Sequence, residues 1–162
     1  MALACLGSLL GRSADALCLR IHDDGSLTDL DRERLTAGLP GSVVVSPAEA
    51  DEVVSARLAA YPECRAFRTR SVLARKLFDV PLLSTGPFVF CDSDVWWFQP
   101  FEGLAVFSDA STKLVFMRDN QEAYSLRPLD LLSRRAVRVT SRVNTDLVFA
   151  WRIDGYWAGP FN

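Results

Sequence analysis

The first half of the chain shows two periods of hydrophobic positions, one typical of strands and one typical of helices. Apolar side chains at Leu17, Leu19 and Ile21 alternate with other residues, which predicts a strand from Leu17 to His22. The turn residues Asp23-Asp24-Gly25-Ser26 end this strand. Residues 1–12 precede it and are predicted as a helix, because they lack the basic segment that begins a signal peptide.

Two capping boxes mark helix starts, Thr28 with Asp31 and Ser46 with Glu49. The predicted helices are Thr28 to Ala37, Ser46 to a stop at Pro62, Arg65–Val80 before an interruption at Pro81, and a short one at Pro128–Arg134. The further predicted strands are Ser42–Val45, Phe88–Cys91, Leu104–Phe107, Lys113–Met117, Ala136–Thr140 and Asp146–Trp151.

The order of these elements predicts the fold class. Strands that alternate with helices through the first half indicate βαβ units and a mainly parallel sheet. The strand-rich second half adds antiparallel pairing, and no linker or repeat divides the sequence. We therefore expect one α/β domain over residues 1–162, with a mixed, mainly parallel sheet flanked by helices.

Composition narrows the function classes. A hydrophobic fraction of 49% and a charged fraction of 23% exclude a disordered chain. A net charge of −2 argues against a nucleic-acid binder, and no apolar run is long enough to predict a membrane span. Four scattered cysteines and one histidine exclude a zinc finger and make a disulfide framework improbable, which favours a reduced, cytoplasmic location.

Candidate chemistry is concentrated where the apolar run Phe88–Cys91 leads directly into Asp92-Ser93-Asp94. If the extended geometry persists, Asp92 and Asp94 lie on the same side, roughly 6–7 Å apart along the chain. Two carboxylates placed in this way suit Mg²⁺ or Mn²⁺, with water and substrate phosphates as the other ligands. The alternative is that both aspartates only cap a loop at the end of a strand.

The segment Phe88-Val-Phe-Cys-Asp-Ser-Asp-Val-Trp-Trp-Phe-Gln-Pro100 resembles the D-x-D region of GT-A-fold glycosyltransferases. Three other segments resemble the same family in the right order: Leu17–Ser26 its second strand, Arg70–Pro81 the helix before the D-x-D strand, and Arg142–Phe149 the strand beside the donor sugar. The resemblance implies a GT-A-like fold and a nucleotide-diphosphate sugar as donor.

Specific residues acquire roles from this resemblance. Asp92 and Asp94 would hold the divalent cation that bridges the donor diphosphate. Arg75 or Lys76 would point at the diphosphate, although a solvated basic face with an Arg75–Asp79 pair is the alternative. Ser93, Asn144 and Thr145 would bind the donor. Asp146, which stands where the family commonly has glycine, is a candidate catalytic carboxylate. Trp97 would stack on the sugar, with a position in the core as its alternative.

Parts of the family pattern are missing from this sequence. A strand that binds the nucleotide base normally comes first, and the elements after the sugar-binding strand often supply a histidine ligand. The sequence has neither, so we expect a piece of a longer enzyme or a reduced relative. An unfilled strand position would leave an exposed sheet edge and promote self-association.

These observations predict a metal-dependent glycosyltransferase of the hexosyltransferase type, with a bacterial surface glycan as one acceptor class. One alternative is a haloacid-dehalogenase-like phosphatase with Asp92 as nucleophile and Asp94 as general acid/base. Against it, the motif lies mid-chain and Trp96 stands where threonine or valine is usual. Another alternative is a degenerate domain that binds sugar nucleotides without chemistry.

Overall fold

The computed structural model describes residues 1–104, 114–120 and 142–150. Within them the chain is mixed α/β, with five helices and five strands. In chain order they are α1 (Ala2–Arg12), β1 (Arg20–His22), α2 (Asp29–Gly38), β2 (Val43–Val45), α3 (Pro47–Arg57), α4 (Pro62–Arg70), α5 (Val72–Leu83), β3 (Phe88–Cys91), β4 (Leu114–Arg118) and β5 (Val143–Ala150). The elements predicted at Leu104–Phe107, Pro128–Arg134 and Ala136–Thr140 fall outside these residues, apart from Leu104 itself.

Both predicted capping boxes are confirmed. The backbone N–H of Asp31 donates to Thr28 Oγ1 at 3.2 Å, and the N–H of Thr28 donates to Asp31 Oδ2 at 3.0 Å. At the start of α3, the N–H of Ser46 donates to Glu49 Oε2 at 2.8 Å. These bonds satisfy amides that would otherwise lack a partner at each helix start.

The single helix predicted from Arg65 to Val80 is instead two helices that separate at Ser71, whose backbone is extended. Side-chain contacts between the helices explain the break. Arg68 and Asp79 are 11 residues apart, which on a straight helix is about 16 Å of rise, yet Arg68 Nε lies 2.6 Å from Asp79 Oδ1.

Both prolines near this region act differently from the prediction. Pro62 does not end α3, which already stops at Arg57; it opens α4, where a missing N–H costs no helical bond. Pro81 does not interrupt the next helix but lies inside α5, close to its last residue Leu83.

The strands form two separate sheets. β1 and β2 pair in parallel, whereas β5 lies between β3 and β4 and is antiparallel to both. The expected antiparallel pairing in the second half is confirmed. Among the described strands, however, parallel pairing is limited to β1 and β2, and both pairings of β5 are antiparallel.

Within the described residues, β1 and β3 are each paired on one side only. The self-association expected from an unfilled strand position stays a prediction.

Two clusters of apolar side chains hold the helices. One joins α3 to α5 through Val54, Leu58 and Phe78, and the other joins α1 to α2 through Leu6 and Leu39. Burying apolar side chains in this way stabilises the folded state by roughly 25 cal/mol for each Å² of apolar surface removed from water. Along the described ranges, no helix has the length and apolar character to cross a membrane.

Candidate functional site

The chain turns sharply after β1, and this turn presents the first part of the candidate site. Asp23 points inward, where its carboxylate pairs with Arg32 and accepts from the N–H of Gly25 at 2.7 Å. Gly25 has a φ of 98°, a conformation that glycine adopts without strain. Asp24 is therefore the exposed acidic residue at the end of β1.

Two adjacent residues of α5 connect the ends of β1 and β3. Arg75 Nη1 donates to the carbonyl oxygen of Asp24 at 2.8 Å, and Lys76 Nζ donates to Asp92 Oδ2 at 2.6 Å. Asp24 follows β1 and Asp92 follows β3. In α/β proteins, ligands bind outside the carboxyl ends of strands. We call Asp24, Arg75, Lys76, Phe90 and Asp92 the strand-end cluster.

The Lys76–Asp92 ion pair is partly shielded from water. Its side chains are 27% and 26% exposed, and Lys76 Nζ lies 4.9 Å from the centroid of the Phe90 ring, so the ammonium also has a cation–π contact. The resemblance implied that Arg75 or Lys76 would point at a donor diphosphate, which stays a prediction; the contact of Lys76 with Asp92 itself was not predicted. No sequence pattern indicated the contact with Phe90, because that residue reads as part of an apolar strand.

The D-x-D segment itself is a turn. β3 ends at Cys91, Ser93 and Asp94 are exposed, and the N–H of Val95 donates back to the carbonyl of Asp92 at 3.4 Å. The extended geometry that would have put Asp92 and Asp94 on one side therefore stops before them. Asp92 is half-buried beside Lys76, while Asp94 lies on the exposed turn.

Helix α1 packs against this turn and the residues after it. Cys5 Sγ donates to the carbonyl of Val95 at 2.7 Å, and Ser8 Oγ accepts from the N–H of Trp97 at 3.1 Å. Cys5 and Ser8 are three residues apart and so share one helix face. Two small side chains capable of hydrogen bonding, on one face of an otherwise apolar helix, are the only sequence signal for this contact.

The D-x-D turn offers the carboxylate oxygens of Asp92 and Asp94 as possible metal ligands. Among the described residues, no three His, Cys, Asp or Glu side chains form a group that would enclose a cation. Asp92 and Asp94 supply hard carboxylate oxygens, and Mg²⁺ commonly takes one or two protein carboxylates with substrate phosphates and water. By donor chemistry the two aspartates suit a cation bound together with a phosphate ligand, but the turn does not hold them on one side as an extended strand would, so a shared cation stays a prediction.

Arg68 does not belong to the site, although it lies seven residues before Arg75 and would share its face on one continuous helix. It lies on α4, where its guanidinium forms two bonds with Asp79 and one with Asp51. These hydrogen bonds, led by those to Asp79, raise the pKa of Arg68. The alternative Arg75–Asp79 pair is wrong, since Asp79 is bound to Arg68 and Arg75 to the Asp24 carbonyl.

The backbone of β5 brings the other predicted donor residues to the same edge. Cys91 lies opposite Leu147 in the antiparallel register, so β3 ends and the chain leaves the sheet at the end of β5 that holds Asn144, Thr145 and Asp146. A bulge in the pairing with β4, between Phe116 and Met117, falls at this part of β5.

Trp97 is partly buried, and its ring is tilted against that of Phe101, with centroids 4.4 Å apart. Its role as a sugar-stacking ring stays a prediction. The solvent-facing aromatic side chains in this segment are Trp96 and Phe98, which are 47% and 79% exposed.

Two titratable groups near the strand ends are perturbed by burial. Burial lowers the pKa of His22, at the end of β1, below its ordinary value, and Arg20 lowers it further while Asp79 opposes this. Burial also raises the pKa of the Cys91 thiol to about 12, so this thiol is inert.

No protein-family model matches the sequence, and neither a curated protein nor a solved structure matches it.

Proposed function

We propose that the protein is a metal-dependent glycosyltransferase with a GT-A-like fold, which transfers a hexose from a nucleotide-diphosphate donor to an acceptor. The observation that carries the proposal is the strand-end cluster. Adjacent cations of α5 meet the carboxyl ends of β1 and β3, one of them on the first aspartate of the D-x-D segment. The resemblance of four sequence segments to the family supports it independently.

The proposed roles follow from charge. Cleaving the bond between sugar and phosphate leaves negative charge on the nucleoside diphosphate, and positive groups fixed nearby stabilise that charge. Arg75 and Lys76 supply two such groups. Asp92 and Asp94 would hold Mn²⁺ or Mg²⁺, which when bound acts as a Lewis acid on the leaving phosphate.

Residues of β5 complete the proposed site. We assign Asn144 and Thr145 to the donor sugar, Ser93 to the donor phosphates, and Asp146 as the candidate carboxylate near the reacting carbon. The proposal places the reaction in the cytoplasm, because the four cysteines are scattered and unpaired. A bacterial surface glycan is one acceptor class consistent with it.

Thermal unfolding with UDP, GDP and their sugars, with and without Mn²⁺, tests the proposal. A ligand at 100 times its dissociation constant stabilises the native state by about 2.7 kcal/mol, which raises the midpoint by about 5–10 °C at this chain length. We expect a rise that requires Mn²⁺ and is lost in the double variant Asp92→Asn/Asp94→Asn.

Glu52→Gln is the matched control, since it removes an exposed carboxylate of α3, away from the strand-end cluster. If no nucleotide gives an Mn²⁺-dependent rise, or if the double variant keeps the full rise, the proposal is wrong. Hydrolysis of an aryl phosphate that disappears in Asp92→Asn would instead favour the phosphatase alternative.

A further inference from the structure

The Lys76–Asp92 ion pair raises a question that the proposed function leaves open. The carboxylate assigned to the cation already carries a protein cation on Oδ2, at 2.6 Å. We propose that Lys76 is a resident counter-ion of Asp92, which a divalent cation displaces and which then binds the diphosphate that accompanies the cation. This inference rests on the proposed function and adds to it a coupling between two ligands.

Charge is the reason that the two cations compete. An ammonium and a divalent cation at one carboxylate repel each other, and this repulsion is strong where the pair is only about a quarter exposed to water. A divalent cation alone therefore has to displace Lys76 into a position where its charge is no longer balanced. We expect the wild-type protein to bind such a cation weakly on its own.

A diphosphate changes this balance because it offers Lys76 a new anionic partner. When Lys76 moves from Asp92 to a phosphate oxygen, the cation takes its position on Asp92 Oδ2 and the ammonium stays neutralised. Each ligand then improves the binding of the other, and thermodynamic linkage requires the two effects to be equal.

Lys76 is suited to this exchange and Arg75 is not. A lysine side chain is a point charge on a flexible stem that can change partners. Its neighbour Arg75 is held by the Asp24 carbonyl and not by the D-x-D segment. The two residues carry the same charge on the same helical turn, so Arg75→Met controls for the general loss of a positive charge.

The test measures Mn²⁺ binding by the full chain without nucleotide, from the electron paramagnetic resonance signal of free Mn²⁺. Lys76→Met removes the ammonium from Asp92 Oδ2, and we expect the affinity for Mn²⁺ to rise at least tenfold. Lys76→Arg keeps the charge and should bind Mn²⁺ as the wild type does, and Arg75→Met should change the affinity by less than threefold. Adding Asp92→Asn to Lys76→Met should abolish the gain.

A second measurement follows inorganic pyrophosphate by calorimetry in the presence of excess Mg²⁺, the condition in which the proposal places Lys76 on the phosphate. Lys76→Met should bind it at least tenfold more weakly than the wild type, because the group that receives the phosphate is gone. Circular dichroism and thermal unfolding verify that each variant is folded, and Lys76→Gln replaces Lys76→Met if the methionine variant does not fold.

The inference is overturned if Lys76→Met binds Mn²⁺ no more tightly than the wild type, or if Arg75→Met gives the same gain. Its failure is separable from that of the proposed function, which is read from nucleotide binding. Tighter Mn²⁺ binding by Lys76→Met, with no nucleotide bound by any variant, would keep the counter-ion role and reject the glycosyltransferase.

Discussion

Replacing Arg68 with methionine should destabilise the protein without disturbing the strand-end cluster. Arg68 is 8% exposed, and it bonds Asp79, which is 5% exposed, at 2.6 and 2.9 Å. The substitution would leave the carboxylate of Asp79 buried without its counter-ion. Asp51, the other partner of Arg68, has a largely exposed side chain and can be solvated by water instead.

The expected magnitude follows from this difference in burial. Removing one partner of a buried ion pair costs about 3–5 kcal/mol, most of it from the uncompensated charge. At about 2–4 °C per kcal/mol for a chain of this size, the unfolding midpoint should fall by about 6–20 °C. Removing both charges in Arg68→Met/Asp79→Leu should recover most of the loss, since neither charge is then left unpaired.

Thermal unfolding followed by circular dichroism measures all three proteins. Arg65→Met is the matched control, because Arg65 is an exposed arginine on the same helix and its loss should change stability by about 0.5 kcal/mol or less. The reasoning is refuted if Arg68→Met melts within about 2 °C of the wild type. It is also refuted if the double variant is no more stable than the single one.

Two further predictions concern groups whose pKa burial perturbs. Because the pKa of His22 is lowered in the folded protein, the unfolded chain binds the proton first, and the free energy of unfolding should fall as the pH drops from about 7 to 5. In thermal melts, His22→Asn should remove most of this pH dependence. An unchanged pH dependence in the variant would contradict the role of His22. Burial raises the pKa of the Cys91 thiol from 9.0 to about 12, so at pH 8 it should react with iodoacetamide about 1,000-fold more slowly than an ordinary thiol. The exposed Cys18 should react readily and serves as the internal control. Equal labelling of the two cysteines in peptide mass spectra would show that Cys91 is not shielded.

The sequence was most informative where the interacting atoms lie within a few residues of each other. Thr28 with Asp31 and Ser46 with Glu49 complete their capping bonds over three positions, so both helix starts could be predicted. The break at Ser71 could not, because the sequence around Ser71 has neither the glycine nor the proline that marks the end of a helix. It depends on contacts between α4 and α5 that exist only once the chain has folded back.

In the candidate site, too, features set by neighbouring residues could be predicted, and features set by distant contacts could not. The D-x-D segment and its basic helix could be found as local patterns, whereas the contact of Lys76 with Asp92 joins residues 16 positions apart and was not predicted. Which arginine joins the core and which reaches the site could not be predicted, since Arg68 and Arg75 share one residue type and differ only in their distant partners. The pairing of Cys91 with Leu147 likewise depends on strands far apart in sequence.

The separation of the two sheets has a mechanical consequence for the strand ends. In the part of the chain that the structure describes, β1 and β3 share no ladder of main-chain hydrogen bonds, and two side chains of α5 span the distance between their ends. The connection between Asp24 and Asp92 is therefore made through the side chains of Arg75 and Lys76 on one helix, and not through hydrogen bonds between neighbouring strands. A ligand that binds both Arg75 and Lys76 would link the ends of β1 and β3. It should therefore slow hydrogen exchange of the backbone amides in both strands.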